Sequence, residues 1–178
     1  RRPGCRLYFT KPLFSLRALF KACTNGASEL MTNISMSLVS ALYNIQLLKL
    51  FGADGVAAYG VLMYVGFVFA AVFIGYAQGC APIVSYHFGA GNQDELKNLL
   101  RRSLAIIAVA GVAMLVSSEL LAGPLAKIFV GYDAGLLALT IHGMKLYSIS
   151  FILSGFNIFG SAFFTALNNG AVSAAISF

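Results

Sequence analysis

The sequence predicts an all-α integral membrane protein, and three observations carry that prediction. Apolar residues fill 59% of the 178 positions and charged residues only 10%, with a mean hydropathy of +0.83, proportions outside the range of soluble domains. The apolar residues come in stretches long enough to cross a bilayer, which takes about 20 residues of helix. Two of those stretches also carry polar residues at helical spacing along one flank. They are Glu29, Asn33, Ser37, Ser40 and Asn44 in one, and Ser150, Ser154, Asn157, Ser161 and Thr165 in the other. In hydrocarbon such groups must turn toward a partner helix or a wet cavity, so the paired stripes point to helices that line a path.

The net charge of +6 is concentrated in the chain rather than spread over it, which argues against a nucleic-acid surface. Arg1, Arg2, Arg6, Lys11, Arg17 and Lys21 precede the first apolar stretch with no acid among them. That is a topology signal: residues 1–24 are expected to form a basic cytoplasmic linker, with some attraction to anionic headgroups of the lipid bilayer. The segment lacks the short apolar core and cleavage site of a signal peptide. Cys5, Cys23 and Cys80 are odd in number and have no metal-ligand spacing, so no disulfide framework, metal site or cofactor is expected. The chain opens at Arg1 and closes at Phe178 within an apolar run begun by Ala171. That run is shorter than a span, so the chain reads as an internal piece of a longer protein.

The expected transmembrane lobe occupies residues 25–178. Its first span covers about 26–51, with Asn25 as N-cap, Lys49 at the far end, and Leu30, Ile34, Leu38, Ala41, Ile45 and Leu48 opposite the stripe. Gly52, Asp54 and Gly55 supply a tight turn. The second span covers about 56–84, with Pro82 ending or kinking it and Gly75 and Gly79 at the spacing for close helix approach. In the connection SYHFGAGNQDELK, Asn92 and Glu95 have capping-box spacing and Asp94 favours the helix start. Its glycines lack the lysine and preceding strand of a phosphate loop.

The third span covers about 99–122, with Lys97, Arg101 and Arg102 at headgroup level and Pro124 closing the helix. The mixed stretch 125–144, containing Lys127, Asp133 and His142, reads as an interfacial elbow. A fourth span covers about 145–167, and Asn168, Asn169 and Gly170 break it before a fifth begins at about 171. Placing the basic lead inside puts Lys97, Arg101 and Arg102 inside as well and leaves Lys49, Lys127 and Lys145 outside. Four crossings satisfy the positive-inside rule.

At NGASELMTNISMSLVSALYN, GADGVAAYG, QGCAPIVSYHFGAGNQDELK and SISFILSGFNIFGSAFFTALNN, the chain resembles the multidrug and toxic compound extrusion (MATE) family of membrane antiporters, and more narrowly its C-terminal half. The resemblance implies a MATE-like helical bundle of two six-helix lobes around a central cavity that opens alternately to each side. This chain would hold helices seven to ten and the start of eleven. The resemblance further implies multi-pass residence in the plasma membrane, an N-terminal lobe of the same protein as partner, and export of small cationic, amphipathic compounds driven by sodium ions or protons. Some members carry an acid deep in the seventh helix and another in the tenth. Here the corresponding interiors offer Asn33, Met36 and Asn157, so the main ion-coupling carboxylate is expected in the other lobe.

A cavity that accepts varied aromatic cations needs dispersed hydrogen-bonding groups and adaptable apolar surface. The candidates are Asn33, Met36, Ser37, Ser40, Tyr43 and Asn44 in the first span and Ser154, Asn157 and Ser161 in the fourth, with Phe164 at the border. The plainer alternative is that these hydroxyls and amides serve as interhelical glue, worth roughly 1 kcal/mol each or less. Glu29, the acid on the first stripe, reads either as an ion-coupling carboxylate or as a wet first-turn residue favoured by the helix dipole. His87 and His142 read as solvated or interfacial, and Glu119 as snorkelling or paired near the outer end of its helix. The paired carboxylates or metal motif of a membrane enzyme are not seen, so the chain is not expected to be an enzyme. The leading expectation is a multidrug exporter. The alternatives are a lipid-linked oligosaccharide flippase, whose phosphate would ask for Arg or Lys that the stripes lack, and a non-transporting structural bundle.

Overall fold

The structure, a computed structural model, describes residues 14–177 apart from the side chains of Ala18, Ser28 and Glu29. Every regular element among them is an α-helix, the form that satisfies its own backbone hydrogen bonds in hydrocarbon. The helices are α1 (Leu16–Gly89), α2 (Gln93–Val130), α3 (Ala134–Ser148), α4 (Ser150–Ala166) and α5 (Gly170–Ser177). Arg1, Arg2, Cys5, Arg6 and Lys11 lie outside the described residues. The end of the expected linker is helical, because α1 begins at Leu16 and runs on through Asn25. Asn25 is therefore a helix-interior residue and not the expected N-cap.

α1 consists of two limbs, residues 16–51 and 53–89, that meet at Gly52 with φ 65° and ψ −152°. A side chain would be strained in that conformation. The limbs fold back there: the Tyr43 and Tyr59 rings stack with centroids 5.8 Å apart, whereas an unbroken helix would hold these positions about 24 Å apart. Asp54 and Gly55, expected in the turn, are already helical, so one glycine reverses the chain.

The prolines interrupt less than expected. α1 continues past Pro82 to Gly89, and α2 continues past Pro124 to Val130. A proline removes one backbone hydrogen bond, but unwinding the flanking turns would leave several amides unpaired against hydrocarbon, which costs more. His87 consequently lies on the last turn of α1 instead of in a loop, and the reversal to α2 is made at Gly91, with φ 70°. Asn92 caps α2 by accepting a hydrogen bond from the Glu95 amide at 3.3 Å.

The stretch 125–144, expected as an interfacial elbow, is divided between two helices. Residues 125–130 complete α2, and α3 starts at an Asp133 cap whose Oδ1 accepts from the Leu136 amide at 2.9 Å. Leu136, Thr140, Met144 and Ser148 then recur every fourth residue and are all buried. Asp133, His142 and Lys145 fall on the exposed side. The mixed composition is the two-faced pattern of a helix packed on the core. α3 passes into α4 through a 49° bend at Ile149, so the helix leading into the expected fourth span begins at Ala134.

The second limb of α1 runs parallel to α3 and α4, with Leu62 against Gly143, Gly66 against Tyr147 and Phe73 against Gly155. α2 runs antiparallel to both, since Ile107 meets Gly155 and Glu119 meets Ser148. Two apolar clusters result. One joins Val61, Val65, Ala122, Ala126 and Met144 toward the Gly52 end, and the other joins Phe73, Ala77, Ile107, Phe159 and Phe163 toward the opposite end. The close helix approaches occur at Gly66, Gly111 and Gly155, while Gly75 and Gly79 face open space. Their spacing allowed contact, but the second limb turns that face away from its neighbours.

One polar contact ties the core of α1 to α2: the Tyr76 hydroxyl donates to Ser103 Oγ at 2.9 Å, and Ser103 is fully buried. Tyr76→Phe is expected to lower stability by about 1 kcal/mol, measured as a shift in thermal unfolding in detergent, with Tyr76→Phe/Ser103→Ala recovering part of the loss.

Candidate transport path

The two polar stripes sit in different surroundings. Along the first limb of α1, Asn33, Met36, Ser37 and Tyr43 are exposed, and Ser40 and Asn44 are half-buried. Local bonds dominate there, with Ser37 Oγ donating to the Asn33 carbonyl at 2.8 Å and Asn44 Nδ2 to the Ser40 carbonyl at 2.9 Å. Tyr43 is the stripe's flanking residue with a ring partner in the second limb, Tyr59. Glu29 lies on α1, but its side chain is outside the described residues. Leu30, Ile34, Leu38, Ile45 and Leu48, opposite the stripe, are exposed as well.

The second stripe is largely engaged by α5. Ser161 and Thr165 hydroxyls each lie 2.8 Å from Ser173 Oγ, Ser177 Oγ donates to Ser161 Oγ at 2.9 Å, and Asn157 Nδ2 donates to the Ile176 carbonyl at 3.1 Å. Ser154 Oγ donates to the Ser150 carbonyl one turn back at 2.8 Å. This flank thus carries a hydroxyl ladder that holds α5 on α4, a role legible only once α5 is placed beside it. Phe164 sits edge-on to Phe163 in the core cluster.

Among the described residues the two stripes do not close around one space. A cavity of about 400 Å³ lies instead between the start of α1 and the start of α5, lined by Lys21, Thr24, Asn25, Met31, Asn168 and Asn169 among others. None of the nine candidate cavity residues is among its described lining. At this end Asn25 Nδ2 reaches the Thr165 carbonyl at 3.4 Å and Ser85 Oγ donates to the Ala166 carbonyl at 3.1 Å. Arg17 and Lys21 in the first turns of α1 and Lys97, Arg101 and Arg102 in the first half of α2 are exposed, and Lys21 lines the cavity. Among the described residues no three His, Cys, Asp or Glu side chains gather as a metal site would require, and Cys23 and Cys80 are free thiols.

Sequence reasoning did not pair Tyr43 with Tyr59, nor Glu119 with Ser148 Oγ, which lies 2.9 Å from its Oε1. The first pair joins the two limbs of α1 across Gly52 and the second joins α2 to α3, so spacing within one helical run carries no sign of either.

α1 and α2 are long and apolar enough to cross a membrane, and the α3–α4 pair is so only when its two bent helices are taken together as one span. With no strand among the described residues, the fold is that of an all-α, multi-pass membrane protein. Residues 30–178 match the MatE family, and the chain belongs to that family of membrane transporters, which are not enzymes. No curated protein and no solved structure matches it.

Proposed function

We propose that the chain forms part of a secondary active multidrug antiporter of the plasma membrane, which exports cationic amphipathic compounds in exchange for sodium ions or protons by alternating access. The observation that carries this reading is the polar stripe of Asn33, Ser37, Ser40 and Asn44 on the exposed first limb of α1, within the family match. In a bilayer those groups need a wet or polar neighbour. The described bundle covers little of that limb, so the stripe suits the wall of a path shared with the N-terminal lobe. Met36 and Tyr43 add polarizable and π surface for organic cations. Four crossings, with the basic lead in the cytoplasm, follow if the two limbs of α1 each span. Glu29 remains the ion-coupling candidate of this lobe.

The test is ethidium efflux from cells making the full-length protein, with sodium and proton gradients collapsed separately. Efflux above that of cells lacking the protein, and loss of it when one gradient is removed, is expected. Accumulation equal to that of cells lacking the protein overturns the reading.

A further inference from the structure

The cavity of about 400 Å³ between the start of α1 and the start of α5 collects hydrogen-bond donors, and no carboxylate is among its described lining. Lys21 stands exposed on the second turn of α1, without an ion-pair partner among the described residues. Across from it, Asn169 Oδ1 accepts from the Val172 amide at 3.3 Å. No acceptor for Nδ2 of Asn169, or for that of Asn168, lies among the described residues. An ammonium group and two side-chain amides with hydrogens to give suit the oxygens of an anion such as phosphate.

The cavity changes character along its length. Thr24 joins Lys21 at the polar end, its hydroxyl donating to the Lys21 carbonyl at 3.0 Å. Ala27 and Met31 on α1 and Ala171 and Ala174 on α5 line the remainder. From Lys21 to Met31 the helix advances about 15 Å, a length that runs from headgroup level into hydrocarbon. Glycine at 170 brings the two helices together, since a Cβ there would lie 2.9 Å from Asn25 Cα and 3.0 Å from the Thr24 carbonyl oxygen. Beyond that contact the alanines are too small to fill the space between the helices, and an apolar groove is left.

We propose that this cavity binds one anionic glycerophospholipid, with its phosphate at Lys21 and the two asparagine amides and an acyl chain along the alanines and Met31. The apolar half selects a lipid over free phosphate, because an inorganic ion would leave that half without a guest. The lining selects an anionic lipid over a zwitterionic one, because it offers no carboxylate to the headgroup's ammonium. Charge nearby has the same sign: exposed Arg17 lies one turn before Lys21 on the same face, and no acid precedes Glu29 in the sequence. A lipid seated there joins the first limb of α1 to α5. The site is read from lipid retention without any substrate, so it can fail separately from the transport function proposed above.

The experiment reconstitutes the full-length protein in equimolar phosphatidylglycerol and phosphatidylcholine, extracts it in mild detergent, and counts retained lipids by native mass spectrometry. Wild type is expected to keep phosphatidylglycerol over phosphatidylcholine by about fivefold, the preference one lysine near the membrane surface supplies. K21Q loses that preference. A174F, which fills the apolar half, retains less of both lipids, and K127Q, on the last turn of α2, behaves as wild type. Inorganic phosphate at the concentration of the lipid leaves the retained phosphatidylglycerol in place. Equal retention of the two lipids by wild type, an undiminished preference in K21Q, or displacement of the lipid by inorganic phosphate overturns the proposal. Lys21 is exposed, so K21Q keeps the fold and a failure of A174F to fold does not spare the proposal.

Discussion

Gly155→Leu is expected to destabilise the folded protein by about 3 kcal/mol, the largest loss from any single substitution considered for this bundle. A Cβ at Gly155 would lie 2.7 Å from Phe73 Cε1 and 2.9 Å from Ile107 Cγ2. Phe73 is 2% exposed and Ile107 1%, so neither neighbour has free space to turn into. The absence of a side chain at residue 155 lets α4 approach the second limb of α1 and α2 together, and added volume pushes all three apart. Thermal unfolding in detergent, followed by size-exclusion chromatography, reads the effect. Gly75→Leu is the control: its surroundings are open, and little change in stability is expected. Equal effects at the two glycines would contradict the packing described.

Asn44→Ala and the pair Ser161→Ala/Ser173→Ala are expected to fail in opposite ways. Asn44 bonds a carbonyl of its own helix, so its removal costs no contact between helices. If the first stripe lines the path, ethidium efflux falls about tenfold, the loss of about 1.4 kcal/mol from one hydrogen bond to the guest or its water. The melting temperature stays near wild type. Ser161 and Ser173 bond each other between α4 and α5, so the double substitution lowers stability by about 1 kcal/mol and leaves the apparent affinity for ethidium unchanged. Efflux assays paired with unfolding curves separate the two. A stability loss at Asn44 with unaltered efflux would return the first stripe to the role of interhelical glue.

The contrast between the stripes shows how far the sequence could be read. Both recur at intervals of three and four residues and draw mainly on Ser and Asn, and a period of 3.6 residues reports only that side chains share a face. Which body that face meets depends on the neighbouring helix: α5 lies against Ser161 and Thr165, while little of the described bundle covers Ser37 or Asn33. Proline misled for a related reason. At Pro82 and Pro124 the local loss of one hydrogen bond was outweighed by the cost of exposing backbone where water is absent. In the stretch from residue 125 onward the charges obscured a fourth-residue repeat, Leu136, Thr140, Met144 and Ser148, which is buried.

The sequence by itself determined the all-helical membrane class, the basic lead and the paired polar flanks. Composition and periodicity are properties of one segment in one solvent, and hydrocarbon leaves the backbone few choices. Tertiary structure alone decided that Gly52 folds α1 back on itself, that α5 covers the second flank, and that Glu119 meets Ser148 at the α3–α4 bend. Each of these is a meeting of surfaces from different helices, selected by the packing of the whole bundle and not by the spacing of residues within any one of them.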